Sequence, residues 1–180
     1  MRPDLVALVD DMRGISIRAL RRMYSEKDGM YIHCLRKHPD GILPEGISIR
    51  YTAIALIAFA QEPDIAAEAL PNDKPQNLCG RMIDRAQQSK DLGEVALTLW
   101  SARVLGHPRA SQALRQLQAM RPATTVWPTV EMSWALTALC LAGRDDTDIE
   151  LRDALAKRLL ASQNARSGLF PHWPEGAAPS

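Results

Sequence analysis

Apolar positions recur at helical spacing along almost the whole chain. From Asp4 to about Met23, Leu5, Val9, Met12 and Ile15 fall three or four apart, and Leu20 and Met23 continue a similar stripe. Comparable single stripes run over 76–88 (Leu78, Met82, Ile83), 108–119 (Ala110, Ala113, Leu114, Leu117) and 148–163 (Ile149, Leu151, Leu155, Leu159, Leu160). Three other segments, 48–60, 92–105 and 130–142, are apolar nearly all round, as in "TAIALIAFA", "EVALTLWSARVL" and "VEMSWALTALCLA". A striped helix can face water, whereas a helix apolar on every side must be buried on every side. Because the two kinds alternate along the chain, the pattern predicts two layers, with striped helices outside and apolar ones inside. Alternating runs of Val, Ile, Thr and Tyr are missing, so almost nothing reads as strand.

Breaks fall where turn chemistry places them. Gly29, Pro39, Gly41, Pro44 and Gly46 punctuate a long connection after the first helix. Pro63 ends the second helix, and Pro71, Pro75, Gly106, "PATTVWP" and Gly143 mark later breaks. Asp91 with Glu94 approaches a capping box, Thr129 is a cap for the segment after it, and Thr147 with Glu150 makes another box. The acidic string "RDDTD", Asp145 to Asp148, reads as capping of the last helix. The three apolar segments also overlay: "RYTAIALIA" from Arg50, "EVALTLWSA" from Glu94 and "EMSWALTAL" from Glu131 start 44 and 37 residues apart. Such spacings suit repeated helix pairs. The predicted fold class is all-α, with repeated helix hairpins and about seven helices. One domain covers 1–173, and 174–180 is a tail.

A chain of 180 residues fits one domain with a real core. A net charge of +1, with Lys and Arg spread along the chain, offers no face for nucleic acid. The longest apolar runs reach about half of the roughly 20 residues that span a bilayer. Asp10 and Asp11 interrupt the stretch where the apolar part of a signal peptide would lie. Cys34, Cys79 and Cys140 are odd in number and flanked by apolar residues, as suits reduced thiols in a cytoplasmic protein.

The segment "LLASQNARSGLFPHW" places Gln163 at a helix end, with Gly168 and Phe170 in the turn beyond. It resembles the Gln-x-x-x-x-Gly-x-aromatic repeat, the QW motif, of terpenoid cyclases and protein prenyltransferases. "DGILPEGISIRYTAIALIAFA" is similar to that family's turn followed by an inner helix. The resemblance implies a partial α/α toroid, an incomplete barrel of helix pairs. In the family, the glutamine ties an outer-helix end to the next inner helix. The resemblance further implies an enzyme, or a fragment of one, binding an isoprenoid or carbohydrate-like substrate in a central cavity.

The family's chemistry is missing, however. No Asp-x-Asp-Asp acid opens an inner helix, and no zinc set of Asp, Cys and His is recognisable. In "HCLRKH", the spacing of His33, Cys34 and His38 matches no usual zinc pattern, so they read as loop residues and no metal or cofactor is expected. A closed toroid of this kind needs about six helix pairs, and this chain supplies roughly three and a half. The expectation is a piece of a longer protein, or an open arc that self-associates through its open end.

If the inner helices line a cavity, their first turns sit at its mouth. That gathers Arg50, Tyr51, Glu94, Glu131 and Trp134 around one rim, with His172 and Trp173 approaching from the last loop. Glu94 and Glu131 are the candidates for general acid/base catalysis. Arg50, Tyr51, Trp134, His172 and Trp173 are candidates for binding a small polar or cationic ligand. The competing reading is structural. Carboxylates near helix N-termini are favoured by the helix dipole by about 0.3–1 kcal/mol each, and Arg50 can simply pair with one. A non-catalytic helical-repeat binding or scaffold domain is then the alternative function.

Overall fold

A computed structural model describes residues 3–141 and 149–174. In chain order it runs through α1 (Pro3–Met23), β1 (Tyr24–Ser25), β2 (Met30–His38), β3 (Gly41–Ile47), α2 (Ile49–Gln61) and α3 (Pro63–Ala69). It continues through α4 (Pro75–Ala86), α5 (Leu92–Val104), α6 (Ala110–Ala119), α7 (Thr129–Cys140) and α8 (Ile149–Ser162).

The three all-apolar segments become α2, α5 and α7, and α5 packs between the other two. No residue of α5 is exposed, as its lack of a polar face requires. α4, α6 and α8 run back the other way. At the start of α4, Gln76 donates to the carbonyl of Leu105 just beyond the end of α5, at 2.8 Å. Late in α6, Gln116 reaches the carbonyl of Ser89 just before α5, at 3.5 Å. Late in α8, Arg158 donates to the carbonyl of Thr125 just before α7, at 2.6 Å. At the far ends of α5 and α7, Arg103 donates to the Ala138 carbonyl at 2.6 Å, so these two helices are parallel. Among the described residues, the inner row and its antiparallel neighbours follow the predicted alternation.

Two apolar clusters fill the space between the layers. One joins Leu56 and Phe59 of α2 to Leu78, Met82 and Ile83 of α4. The other joins Leu92, Val95 and Leu99 of α5 to Leu117, Met132, Leu139 and Leu155. Trp100 and Trp134 pack against both.

Three expectations are corrected here. The long connection after α1 is a three-stranded antiparallel sheet, so the fold is mostly helical and not all-α. Its hairpin turns at Pro39–Asp40, with His38 opposite Gly41 at φ 135°. Pro39 and Gly41, read from the sequence only as breaks in a connection, flank this turn, and β2 alternates poorly. Met30, Tyr31 and Ile32 are all buried, against α2 and α4, while the hairpin tip is exposed. Second, Pro63 does more than end α2: it sits in the first turn of α3, giving eight helices among the described residues. Third, the stripe of Leu5, Val9, Met12 and Ile15 faces solvent. The body reaches only the second half of α1, where Ile17 is buried and Leu20 and Met23 pack on the core. The helix end at Gly143, the capping at "RDDTD", including Thr147, and residues 175–180 of the tail lie outside the described residues, whereas Pro174, the first residue of that tail, is buried.

One polar knot fastens the sheet to α4. Arg81 donates through Nε to the Gly29 carbonyl at 3.0 Å and through Nη2 to the Tyr24 hydroxyl at 3.1 Å, and it pairs with Asp73. The Tyr24 hydroxyl donates to Asp73 at 2.7 Å. Burial first, then the Asp73 carboxylate, pushes the Tyr24 phenol up to about 12, and burial raises Tyr31 as well. The fold thus favours the protonated phenols. Their contribution is complete below the ordinary tyrosine value of about 10 and is lost as pH rises through the folded value. Tyrosinate absorbance against pH should show Tyr24 and Tyr31 ionising late, together with unfolding. Full ionisation of the native protein near pH 10 would contradict this knot.

Candidate functional site

Because α2, α5 and α7 begin at one end of the inner row, their first turns converge. Ser48 caps α2, accepting from the Tyr51 amide at 3.0 Å. Asp91 caps α5 in an extended conformation and accepts from the Glu94 amide at 2.8 Å. α7 starts directly after Pro128, with Glu131 in its first turn.

Arg50 spans all three helices. Its Nη2 lies 2.7 Å from both Asp91 oxygens and 2.5 Å from Oε1 of Glu131. The guanidinium carbon sits 5.4 Å from the centroid of the Trp134 ring, a cation–π contact. Gly93 lies beneath both. A Cβ there would meet Cζ and Nη2 of Arg50 at 2.9 Å and Cζ3 of Trp134 at 3.0 Å. Glycine is thus what lets the guanidinium and indole close over the first turn of α5. Burial opposes the charge on Arg50, but hydrogen bonds and attraction from Asp91 and Glu131 outweigh it and raise its pKa. The Glu131 side chain is only 11% exposed, against 41% for Asp91. Glu131 is therefore a nearly enclosed carboxylate with one oxygen held by a guanidinium.

The structure brings together Arg50, Glu131 and Trp134 of the residues predicted for the rim. Glu94 stands apart, taking a hydrogen bond from the Ser89 hydroxyl at 2.5 Å. That hydroxyl in turn accepts from the Asp91 amide at 3.1 Å, so Glu94 braces the cap instead of pairing with Arg50. Tyr51 stacks on His33 of β2, with ring centroids 5.6 Å apart and planes 12° from parallel. His172 and Trp173 meet edge to face at 5.3 Å. Their loop is tied to the start of α7, where the Thr129 amide donates to the His172 carbonyl and its hydroxyl to the Pro171 carbonyl. Thr129 is thus the first residue of α7 and a donor to this loop, not the cap. A concavity of about 500 Å³ opens there, lined by Thr129, Val130, Ser133, Leu159, Phe170, Pro171 and His172. Neither Arg50 nor Glu131 lines it.

Asp91 and Gly93 were missed. The sequence marks Asp91 as a cap, and only the fold shows that its carboxylate also holds Arg50. His33, Cys34 and His38 stand on strand β2, not in a loop. Among the described residues, no three His, Cys, Asp or Glu side chains are placed to hold a metal ion. No helix there is long and apolar enough to cross a membrane.

Gln163 closes its own turn. Its Nε2 donates to the Gly168 carbonyl at 2.8 Å, and Gly168 has φ 71°. The link stays within the loop following α8. No protein-family model matches the chain, and no curated protein or solved structure does either.

Proposed function

We propose that this chain is a non-catalytic helical-repeat scaffold domain, an arc of paired helices that holds protein-binding surfaces in fixed relation. The observation that carries this reading is Arg50, which engages Asp91 and Glu131 together and stacks on Trp134. Oε1 of Glu131 is committed to the arginine and its side chain is only 11% exposed, which favours a structural role over that of a general base facing substrate. The rim is then a clamp that sets the spacing of three inner helices. Free Cys34, Cys79 and Cys140 suit a reducing, cytoplasmic setting.

A second reading, an α/α-toroid enzyme fragment related to terpenoid cyclases, is favoured by the parallel inner helices. In it the arc is part of a larger ring around an isoprenoid or carbohydrate-like substrate. Glu131→Gln separates the two. A clamp residue should cost about 1–2 kcal/mol of unfolding free energy when its charge is removed, because Gln keeps an acceptor but loses the ion pair. A catalytic carboxylate, by contrast, commonly leaves stability unchanged or improved when neutralised. Unchanged or raised stability in urea denaturation would sink the scaffold reading of this rim.

A further inference from the structure

We infer that α1 pairs antiparallel with α1 of a second copy of this chain. The inference does not depend on the rim. In α1, Leu8 is 54% exposed and Val9, Met12 and Ile15 are 59–60% exposed, although helix–body contact nearby is apolar and buried at Ile17. Residues 4–12 are exposed on every side. A helical end of this length is marginal alone in water, so a helix with such a stripe calls for a cover.

Geometry and charge together name the cover. Leu5, Leu8, Met12, Ile15 and Ala19 follow a three-four spacing, which places them on one face of a helix about 30 Å long. Along one edge of that face lie Asp4, Asp11 and Arg18, seven apart, while Arg22 ends the face after Ala19. The edge is acidic in the first half of the helix and basic in the second. A parallel pair would set this edge against the opposite one, which carries Val9 and Ser16, and leave its charges unpaired. An antiparallel pair with its two-fold axis between Arg13 and Gly14 sets Met12 opposite Ile15 of the second copy and Leu8 opposite Ala19. It also brings Asp11 diagonally across from Arg18 twice, and it sets Leu5 opposite Arg22, whose charged end lies near Asp4. The same patch thus complements itself, as a two-fold interface requires.

An anionic bilayer fits less well. Membrane-surface helices carry Lys and Arg beside the apolar face, but here the freest half of the helix bears Asp4, Asp10 and Asp11.

The test is sedimentation velocity on the full chain over a concentration series. The unaltered protein should be a dimer at concentrations of about 100 μM. Asp11→Arg and Arg18→Asp should each weaken association about tenfold or more, because each makes two like-charge contacts. The two changes combined should bring affinity back to within about threefold of the original. Met12→Glu should give folded monomers whose thermal midpoint matches that of the unaltered protein diluted until it is monomeric, since Met12 is 59% exposed on its own chain. A monomer throughout the series would overturn the proposal, as would a failure of the combined variant to recover. A monomer that sediments with phosphatidylserine vesicles would overturn it in favour of a lipid surface.

Discussion

Arg50→Ala is expected to lower the unfolding free energy by about 2–3 kcal/mol, read as a reduced urea midpoint at unchanged slope. Removing one partner of a fully buried pair costs about 3–5 kcal/mol, because the other charge is left unpaired in a poor solvent. Arg50 is one-third exposed and Asp91 more so, so solvent screens part of that loss. Glu131 dominates the cost, since it is enclosed and would keep its desolvation without its cation. Arg50→Lys should recover only part of the loss. An ammonium restores the charge, but its compact head lacks the planar face that stacks on Trp134. A loss below about 0.5 kcal/mol in Arg50→Ala would show that the clamp contributes little.

Leu99→Ala should cost more, about 3–4 kcal/mol by the same measurement. Leu99 is fully buried in α5, the helix walled on all sides by α2, α4, α6 and α7. Four close neighbours cannot collapse together into the space vacated by a leucine, so transfer and cavity terms add. Leu160→Ala is the control. Leu160 is 66% exposed on α8, and its truncation should change stability by less than about 0.5 kcal/mol. Equal effects at the two positions would contradict the burial of α5.

The inner row was legible because burial on all sides leaves no room for polar residues. "EVALTLWSARVL" can only be a central helix, and α5 is one. The sheet was illegible for the opposite reason. Met30, Tyr31 and Ile32 are buried consecutively, and most of the rest of the hairpin is exposed, so the period of two that announces a half-buried strand is broken. α1 misled through its periodicity, which reports that a face wants cover without saying from where. At the rim, matching helix starts correctly brought Arg50 to Glu131 and Trp134. The same logic misassigned Glu94, because it treats all first-turn carboxylates alike. Side-chain reach decides between them. Asp91, three residues earlier, points its carboxylate across the gap, while Glu94 folds back to Ser89. Tyr51 follows Arg50 by one residue, and that rotation of the helix carries it to His33 on the sheet side.

The clamp at Arg50 also has a place in time. Its two carboxylates lie 41 and 81 positions further along the chain. As a ribosome releases the polypeptide, α2 and α5 can join through Asp91 first, while the guanidinium still has an empty side. Only when Thr129 onward has emerged and docked does Glu131 shut that side. The arginine therefore records completion of the three-helix row, and a nascent chain halted before α7 would hold it half-fastened and more open to proteases.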